Sequence, residues 1–185
     1  MELHRSMVGS RSNNDIRDFY ETPPEAIDRL FTIWKPNVKS IWEPCCGTGS
    51  ISKVLKNYQY DVISSDIEDR GYGETGVDFL QQTTPRAEMI FTNPPFNIST
   101  EFVQHSLKLC EQSIFLLRLQ WLEGDRRRKN IFSKNKLANV FVFSKRIPRM
   151  HVPGYTGKKV SSTIAFAWFH FDNNHNDHPN IQWIP

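Results

Sequence analysis

The segment SIWEPCCGTG, residues 40–49, contains the strongest indication of the fold in this sequence. It opens with a short apolar run, and apolar residues at helical spacing follow it over 51–55. Gly47 and Gly49 lie between the two patterns, and glycine lets the backbone turn tightly and lets a ligand approach the main chain. The segment therefore predicts a strand, a glycine turn and a helix in succession.

Short apolar runs alternate with helical patterns on both sides of this segment. Further strands are predicted over 60–65, 87–92, 113–119, 139–143 and 163–171, and further helices over about 23–34, 99–110 and 122–133. The alternation predicts an α/β fold with a mostly parallel, doubly wound sheet and helices on both faces. No helical pattern separates the last two strands, so we expect an antiparallel C-terminal hairpin at the sheet edge.

A length of 185 residues suits one domain. We place this domain at 18–171, after a flexible polar arm over 1–17 and before a solvated tail over 172–185. The first helix of the domain opens with a capping signal, because Thr22 is able to accept a backbone hydrogen bond and Glu25 completes a capping box.

Composition excludes several classes of protein. Hydrophobic residues make up 38% of the chain, enough for a core, yet no run approaches the roughly 20 apolar residues that cross a bilayer. The polar N-terminus does not resemble a signal peptide, and three cysteines, two of them adjacent, do not form a disulfide framework or a zinc site. We therefore expect a cytoplasmic protein with no membrane contact and no bound metal.

The formal net charge of +3 conceals a strong asymmetry along the chain. Residues 1–117 carry 11 basic and 16 acidic side chains, whereas residues 118–160 carry 12 basic and 2 acidic ones. Such a basic block is typical of chains that bind a polyanion. We expect nucleic-acid contacts from Arg126, Arg127, Arg128, Lys129, Arg146, Arg149, Tyr155, Lys158 and Lys159, with binding that weakens steeply in salt. The alternative is a solvated helix face with ordinary loop lysines.

An acidic residue, Asp66, ends the strand that follows the glycine turn. In doubly wound sheets a carboxylate at this position binds ribose hydroxyls, so the spacing favours a nucleoside ligand over a purely structural turn. A dinucleotide fingerprint would need a third glycine where this chain has Ser52. Glu43 would repel a pyrophosphate and attract a cation, which favours a nucleoside that carries an amino acid.

The tetrapeptide NPPF, residues 93–96, closes a strand at the same edge of the sheet. Asn93 offers a side-chain carbonyl that accepts from an amine, and Pro94 and Pro95 have no N–H groups, so their carbonyls are left to point into a site. Phe96 presents a flat face on which a planar ring stacks. Together these residues are typical of a receptor for a planar amine, although a proline-rich strand end remains the structural alternative.

Three elements, in this order, resemble the class I S-adenosylmethionine-dependent amino-methyltransferases, specifically those that methylate adenine-N6 in DNA. They are DFYETPP at 18–24, EPCCGTG at 43–49 and NPPF at 93–96. The run LRLQWLEG at 117–124 is similar to the small phage- and prophage-type adenine enzymes. Cytosine-amine enzymes usually have serine in place of Asn93, so the resemblance favours adenine.

The resemblance implies a Rossmann-like fold and a role for each motif residue. S-adenosylmethionine is the implied cofactor, with contacts from Tyr20, Thr22, Glu43, Cys45, Gly47, Gly49, Asp66, Ile67, Asp78, Phe79 and Asn93. In this family pattern Asp66 would hold the ribose, and Asp78 would bind the cofactor's adenine beside Phe79. Catalysis would rest on Asn93, Pro94, Pro95 and Phe96.

The resemblance also implies a nucleic-acid partner, DNA in the first instance and RNA as the alternative. Larger relatives carry a separate target-recognition region, but only 14 residues lie between Asp78 and Asn93. We therefore expect low or short sequence specificity, read by loops or by an accessory recognition subunit, in a monomer or weak dimer. Other candidates are an RNA adenine or protein-glutamine methyltransferase with the same tetrapeptide, and a non-catalytic subunit that binds nucleic acid.

Overall fold

The structure is a computed structural model that describes residues 19–148, 150, 156 and 162–185. The predicted arm over 1–17 lies outside the described residues. Four of the predicted nucleic-acid contacts, Arg149, Tyr155, Lys158 and Lys159, also lie outside them.

Seven strands and four α-helices are found in the described part of the chain. The strands are β1 Ser40–Glu43, β2 Asp61–Ser64, β3 Met89–Thr92, β4 Gln112–Arg118, β5 Leu137–Phe143, β6 Phe166–Asp172 and β7 Asn180–Ile184. The helices are α1 Glu25–Leu30, α2 Ser50–Asn57, α3 Ser99–Leu109 and α4 Asp125–Asn130. Short 3₁₀ turns cover Phe79–Gln81, Phe96–Ile98, Leu119–Leu122 and Phe132–Lys134.

The strands form one sheet in the order β2-β1-β3-β4-β6-β5-β7. All neighbouring strands are parallel except that β6 runs antiparallel to both β4 and β5. This confirms the predicted mostly parallel sheet with an antiparallel C-terminal hairpin. Because β2 and β3 lie on opposite sides of β1, a crevice opens at the carboxyl ends of these strands, the usual ligand position in such sheets.

Successive residues of the central strands point to opposite faces of the sheet and build two cores. Ile41 belongs to the core that α1 and α2 cover, and Trp42 belongs to the core that α3 covers. Helices therefore pack on both faces, as predicted, and all four residues of β3 are buried. This double packing gives the loops at the carboxyl edge a rigid base. In the described residues no helix is long and apolar enough to span a membrane.

The prediction of a tail over 172–185 is wrong for β7, which pairs in parallel with β5 and forms the outer edge of the sheet. Consequently the β5–β6 hairpin is not the edge that the sequence predicts. Within β7 only Ile184 is buried, while Ile181 and Trp183 are exposed. Backbone pairing rather than side-chain burial holds this strand. The apolar residues of 180–184 are few and follow a polar segment, so the hydrophobic pattern does not predict a strand there.

Two helix predictions also need correction. No side chain caps α1, which begins at Glu25 after Pro24, so the predicted capping box is wrong. The hydroxyl of Thr22 accepts a hydrogen bond from Asn93 instead, and this tertiary contact replaces the local one. The basic helix is shorter than the predicted range of 122–133, since α4 spans only Asp125–Asn130.

Candidate active site

A cleft of about 970 Å³, including its open mouth, lies at the carboxyl ends of β1, β2 and β3. The predicted cofactor contacts that line it are Tyr20, Thr22, Glu43, Cys45, Asp66, Ile67, Asp78, Phe79 and Asn93. The other members of the tetrapeptide, Pro94, Pro95 and Phe96, line it too. The fold thus brings residues from five separate segments of the chain to one cleft.

Gly47 and Gly49 do not line the cleft but set the path of the loop that does. Both have positive φ values, +53° for Gly47 and +81° for Gly49. A β-carbon on Gly47 would lie 2.0 Å from the ring of Phe19, and one on Gly49 would lie 2.5 Å from the ring of Tyr72. Both the backbone conformation and the close aromatic neighbours therefore require glycine.

Asp66 connects the loop after β1 to the loop after β2. Its carboxylate accepts a hydrogen bond from the backbone N–H of Gly47 at 2.8 Å and another from that of Glu68 at 3.0 Å. Asp66 is buried and lines the cleft. A carboxylate has about four acceptor positions, so these two bonds leave it able to accept from a ligand hydroxyl.

Glu43 is held at the end of β1 by the first turn of α2. The backbone N–H of Ser52 donates to its carboxyl at 2.8 Å, and the Ser52 hydroxyl donates to the same oxygen. Burial raises the pKa of Glu43 to about 8, an effect that exceeds the lowering caused by the Ser52 bonds. Ser52, at the position where a dinucleotide fingerprint would have its third glycine, therefore fixes the carboxyl of Glu43. A cation placed beside this carboxyl would favour its ionised form.

Cys45 and Cys46 both line the cleft. Burial raises the pKa of both thiols, that of Cys46 to about 12. Because the thiolate is the nucleophilic form, neither residue is activated for covalent chemistry at neutral pH. They are small residues in the cleft wall. The sequence agrees, because no basic residue stands beside them to lower the pKa of either thiol.

One end of the cleft is mainly apolar. Phe79 is almost fully buried there and stacks on Phe102 with 4.7 Å between ring centroids. Asp78 lines the same end, and its carboxylate accepts from the backbone N–H of Leu80 at 2.9 Å, which caps the short turn that follows. Ile67 lies at the wall with 53% of its surface exposed.

Asn93 is the polar centre of the tetrapeptide. Its side-chain amide nitrogen donates to the Thr22 hydroxyl at 3.0 Å and lies 3.6 Å from the sulfur of Met150. Its amide oxygen is buried and has no hydrogen-bond partner among the described residues. Thr22 therefore fixes the orientation of the amide and leaves an acceptor available. An orphaned acceptor of this kind is rare, because it costs roughly 1–3 kcal/mol.

Phe96 lies among aromatic and cationic groups. Its ring is nearly parallel to that of Tyr20, with an interplanar angle of 18° and centroids 6.4 Å apart. The ring of Phe166 lies 5.8 Å away, and the guanidinium carbon of Arg118 lies 4.7 Å above the Phe96 centroid. The contact with Arg118 was not predicted, because no local pattern connects the ends of β3 and β4.

The four predicted nucleic-acid contacts on α4 divide into two groups. Arg126, Arg128 and Lys129 of α4 are exposed and form surface ion pairs with Glu101 or Asp125. Arg127 differs, because its Nε donates to the backbone carbonyl of Trp121 at 2.8 Å and its guanidinium lies 5.4 Å from that indole. Arg127 therefore stabilises the preceding turn rather than pointing freely to solvent.

Arg146 is exposed at the end of the β5 region, and its guanidinium donates to the backbone carbonyl of Thr163 at 2.9 Å. Sequence reasoning missed several wall residues, among them Ser50, Ile51, Glu68, Arg70, Val77, Ile98 and Phe102. Glu68 and Arg70 come from the irregular stretch 67–85, whose sequence has no period that would place it over the cleft. The guanidinium carbon of Arg70 lies 4.3 Å from the centroid of the Phe19 ring, and both residues line the cleft.

No protein-family model matches the sequence, and no curated protein is significantly similar to it. Solved structures, however, share its architecture. A Pyrococcus horikoshii protein inferred to be an RNA methyltransferase is 15% identical, with 84% of this chain and 86% of that chain covered at a TM-score of 0.57. The 23S rRNA methyltransferase ErmE is 16% identical, with 88% and 71% covered at a TM-score of 0.54.

The fold is that of the class I methyltransferases. A third similar structure, a modification subunit inferred for a type I restriction enzyme of Vibrio vulnificus, is 14% identical. The superposition covers 92% of this chain but 48% of that one, at a TM-score of 0.59. Class I methyltransferases with this fold use S-adenosylmethionine, and the cleft of the present chain lies at the sheet edge where this fold binds ligands.

Proposed function

We propose that this protein transfers a methyl group from S-adenosylmethionine to the exocyclic amine of adenine in DNA. The observation that carries the proposal is the buried amide oxygen of Asn93, which has no partner in the described part of the chain. An amine in the cleft would give this oxygen its missing donor and remove the cost of leaving it unpaired. The neighbouring ring of Phe96 suits a planar amine such as an adenine base.

The residues of the cleft fit the cofactor on several independent observations. Gly47 and Gly49 turn the loop after β1 as no other residue would, which allows close approach to the main chain. Asp66 has acceptor positions left for ribose hydroxyls, and Glu43 is a carboxyl whose ionised form a cation would favour. The apolar end beside Phe79 suits a purine ring.

In this reaction the main role of the protein would be to orient the amine. When bound, S-adenosylmethionine supplies an electrophilic methyl group on a positively charged sulfonium. The Asn93 oxygen would accept one N–H of the adenine amine and the Pro94 carbonyl the other, so the nitrogen lone pair would point toward the methyl group. Transfer would form the nitrogen–carbon bond as the sulfur–carbon bond breaks, with S-adenosylhomocysteine as the leaving group and the surplus amine proton passing to water.

The basic block supports a nucleic acid as the carrier of the amine. Arg126, Arg128 and Lys129 present exposed charges on α4, shortly after the end of β4 in the chain. Such charges suit a phosphate backbone and supply affinity without reading sequence. An adenine inside a duplex would have to leave its stack to reach Asn93, which costs least at single-stranded or distorted sites.

One incubation tests the proposal. The purified protein is mixed with methyl-labelled cofactor and with duplex DNA, single-stranded DNA, RNA or a glutamine-containing peptide, and each product is digested. We expect label in N6-methyldeoxyadenosine. Label in methyladenosine from RNA alone would assign the enzyme to RNA, and label in glutamine would assign it to protein. Cofactor binding without label in any substrate would favour a non-catalytic subunit.

A further inference from the structure

Arg118 lies beside the candidate amine site but has no place in the functions assigned above. It is the last residue of β4, the strand next to β3 in the sheet, and its guanidinium lies 4.7 Å from the Phe96 centroid. Arg118 does not line the cleft itself but lies directly beside Phe96, which does. We propose that Arg118 binds the phosphate group next to the target adenine and makes the site selective for an amine carried on a polyanion. This inference rests on the proposed function.

The hydrogen-bonding state of Arg118 is the first support. Its Nε atom is buried and has no hydrogen-bond partner among the described residues, and within those residues no carboxylate forms an ion pair with it. By contrast, Arg86 pairs with Glu74 and Arg128 pairs with Asp125. A desolvated guanidinium nitrogen without an acceptor is costly, so its retention beside the tetrapeptide is the ground for inferring an anion that arrives with the substrate.

The geometry of the stack is the second support. Arg118 pairs with Phe166 across the β4–β6 ladder, and Phe166 packs on Phe96 at 5.8 Å. The next residue is also fixed, since the backbone N–H of Leu119 donates to the carbonyl of Ala165 at 2.8 Å. The guanidinium carbon lies over the Phe96 ring, and the N–H donors of a guanidinium all lie in its own plane. These in-plane donors match the paired oxygens of a phosphate.

The surrounding charge distinguishes a phosphate of a polymer from an isolated carboxylate. Arg118 begins the strongly basic stretch 118–160, and the exposed cations of α4 follow it within about ten residues. A phosphodiester chain that passes Arg118 would find further positive charge along α4, whereas a neutral glutamine side chain would bring no anion to Arg118. The arrangement therefore favours a nucleotide amine.

A double-substitution cycle tests the inference. The substrates are oligonucleotides with a single adenine in which one flanking phosphate at a time, on the 5′ or the 3′ side, is replaced by an uncharged methylphosphonate. We expect one of the two replacements to lower the kcat/KM of the wild-type enzyme about tenfold, the order of one charge-assisted hydrogen bond. Arg118→Gln should lower kcat/KM on the native oligonucleotide by a similar factor and lose nothing more on that methylphosphonate. Arg118→Lys keeps the charge but loses the two-pronged guanidinium, so its kcat/KM on the native oligonucleotide should lie between those of the wild-type enzyme and Arg118→Gln.

Lys108→Gln is the matched control, since it removes one exposed positive charge from the last turn of α3, at the opposite edge of the sheet. This variant should keep the wild-type response to both methylphosphonates. Two results would overturn the role of Arg118 and leave the proposed function intact. One is a kcat/KM of Arg118→Gln on the sensitive methylphosphonate about a hundredfold below that of the wild-type enzyme on the native oligonucleotide. The other is an unchanged kcat/KM of Arg118→Gln on the native oligonucleotide. No transfer to adenine by the wild-type enzyme would instead reject the proposed function, and this inference with it.

Discussion

The loop after β1 and the loop after β3 face the same cleft, but their polar groups are in opposite states. In the first loop Glu43 accepts two hydrogen bonds from Ser52, and the Gly47 amide donates to Asp66. In the second loop the Asn93 oxygen is buried without a partner among the described residues. These groups of the first loop are therefore satisfied by neighbouring parts of the protein, whereas the second loop leaves an acceptor for an external donor.

This difference indicates how the two halves of the site would work. A satisfied loop keeps its shape without a ligand and provides a preorganised surface for a cofactor. The Asn93 oxygen, whose orientation Thr22 fixes, would form a stabilising hydrogen bond only when an amine is bound. Substitutions in the first loop should therefore act on cofactor affinity and stability, and substitutions in the second should act on methyl transfer.

The largest expected effect separates these two readouts. Asn93→Ala should lower the rate of methyl transfer by about a thousandfold, because the amine loses its positioned acceptor. The cofactor dissociation constant, measured by calorimetry on the same preparation, should stay close to that of the wild-type protein. The control is Asn97→Ala, at an exposed asparagine of the adjoining turn, which should change neither quantity. Wild-type turnover in Asn93→Ala would contradict the role of the second loop.

A smaller effect is expected in the first loop. Gly47→Ala places a methyl group 2.0 Å from the Phe19 ring and should weaken cofactor binding about tenfold, since Phe19 lines the cleft. Gly71→Ala is matched to it, because Gly71 also has a positive φ, +76°, but its β-carbon would meet nothing within 4 Å. Both variants should lose roughly 1 kcal/mol of stability from backbone strain. Equal cofactor affinities in the two variants would show that the contact with Phe19 has no effect on binding.

The smallest expected effect is a pH dependence of stability in the protein without cofactor. Burial raises the pKa of Glu43 from 4.5 to about 8, so between these values the folded state holds a proton that the unfolded state has released. The free energy of unfolding should therefore fall as pH rises, by roughly 1 kcal/mol between pH 7 and pH 8 relative to Glu43→Gln, which does not titrate. Denaturant unfolding at the two pH values measures this difference. Parallel behaviour of the two proteins would place the pKa of Glu43 outside this range.

The parts of the site that sequence predicts are those encoded by adjacent residues. The strand, glycine turn and helix around Gly47, the carboxylate at Asp66 and the tetrapeptide at Asn93 are local patterns, and all of them meet at one sheet edge. The parallel order of the first strands likewise follows from the alternation of apolar runs and helices.

The remaining features depend on contacts between distant segments. Thr22 looks like a helix cap in sequence, but it bonds Asn93, 71 positions away, because the sheet brings the two together. The contact of Arg118 with Phe96 joins the ends of two neighbouring strands, and no periodic sequence pattern reveals it. β7 is held mainly by backbone pairing with β5, which side-chain patterns do not reveal.

The most direct test of the account asks whether the Asn93 oxygen accepts the adenine amine. The affinity of the protein for an oligonucleotide with one target adenine is compared with that for one carrying purine, which lacks the amine, in its place. Both are measured by fluorescence anisotropy with S-adenosylhomocysteine present, in the wild-type protein and in Asn93→Ala. We predict that the wild-type protein binds the adenine oligonucleotide about tenfold more tightly and that Asn93→Ala binds both equally. An equal preference for adenine in both proteins, or none in the wild-type protein, would contradict the assignment of Asn93 as the amine acceptor.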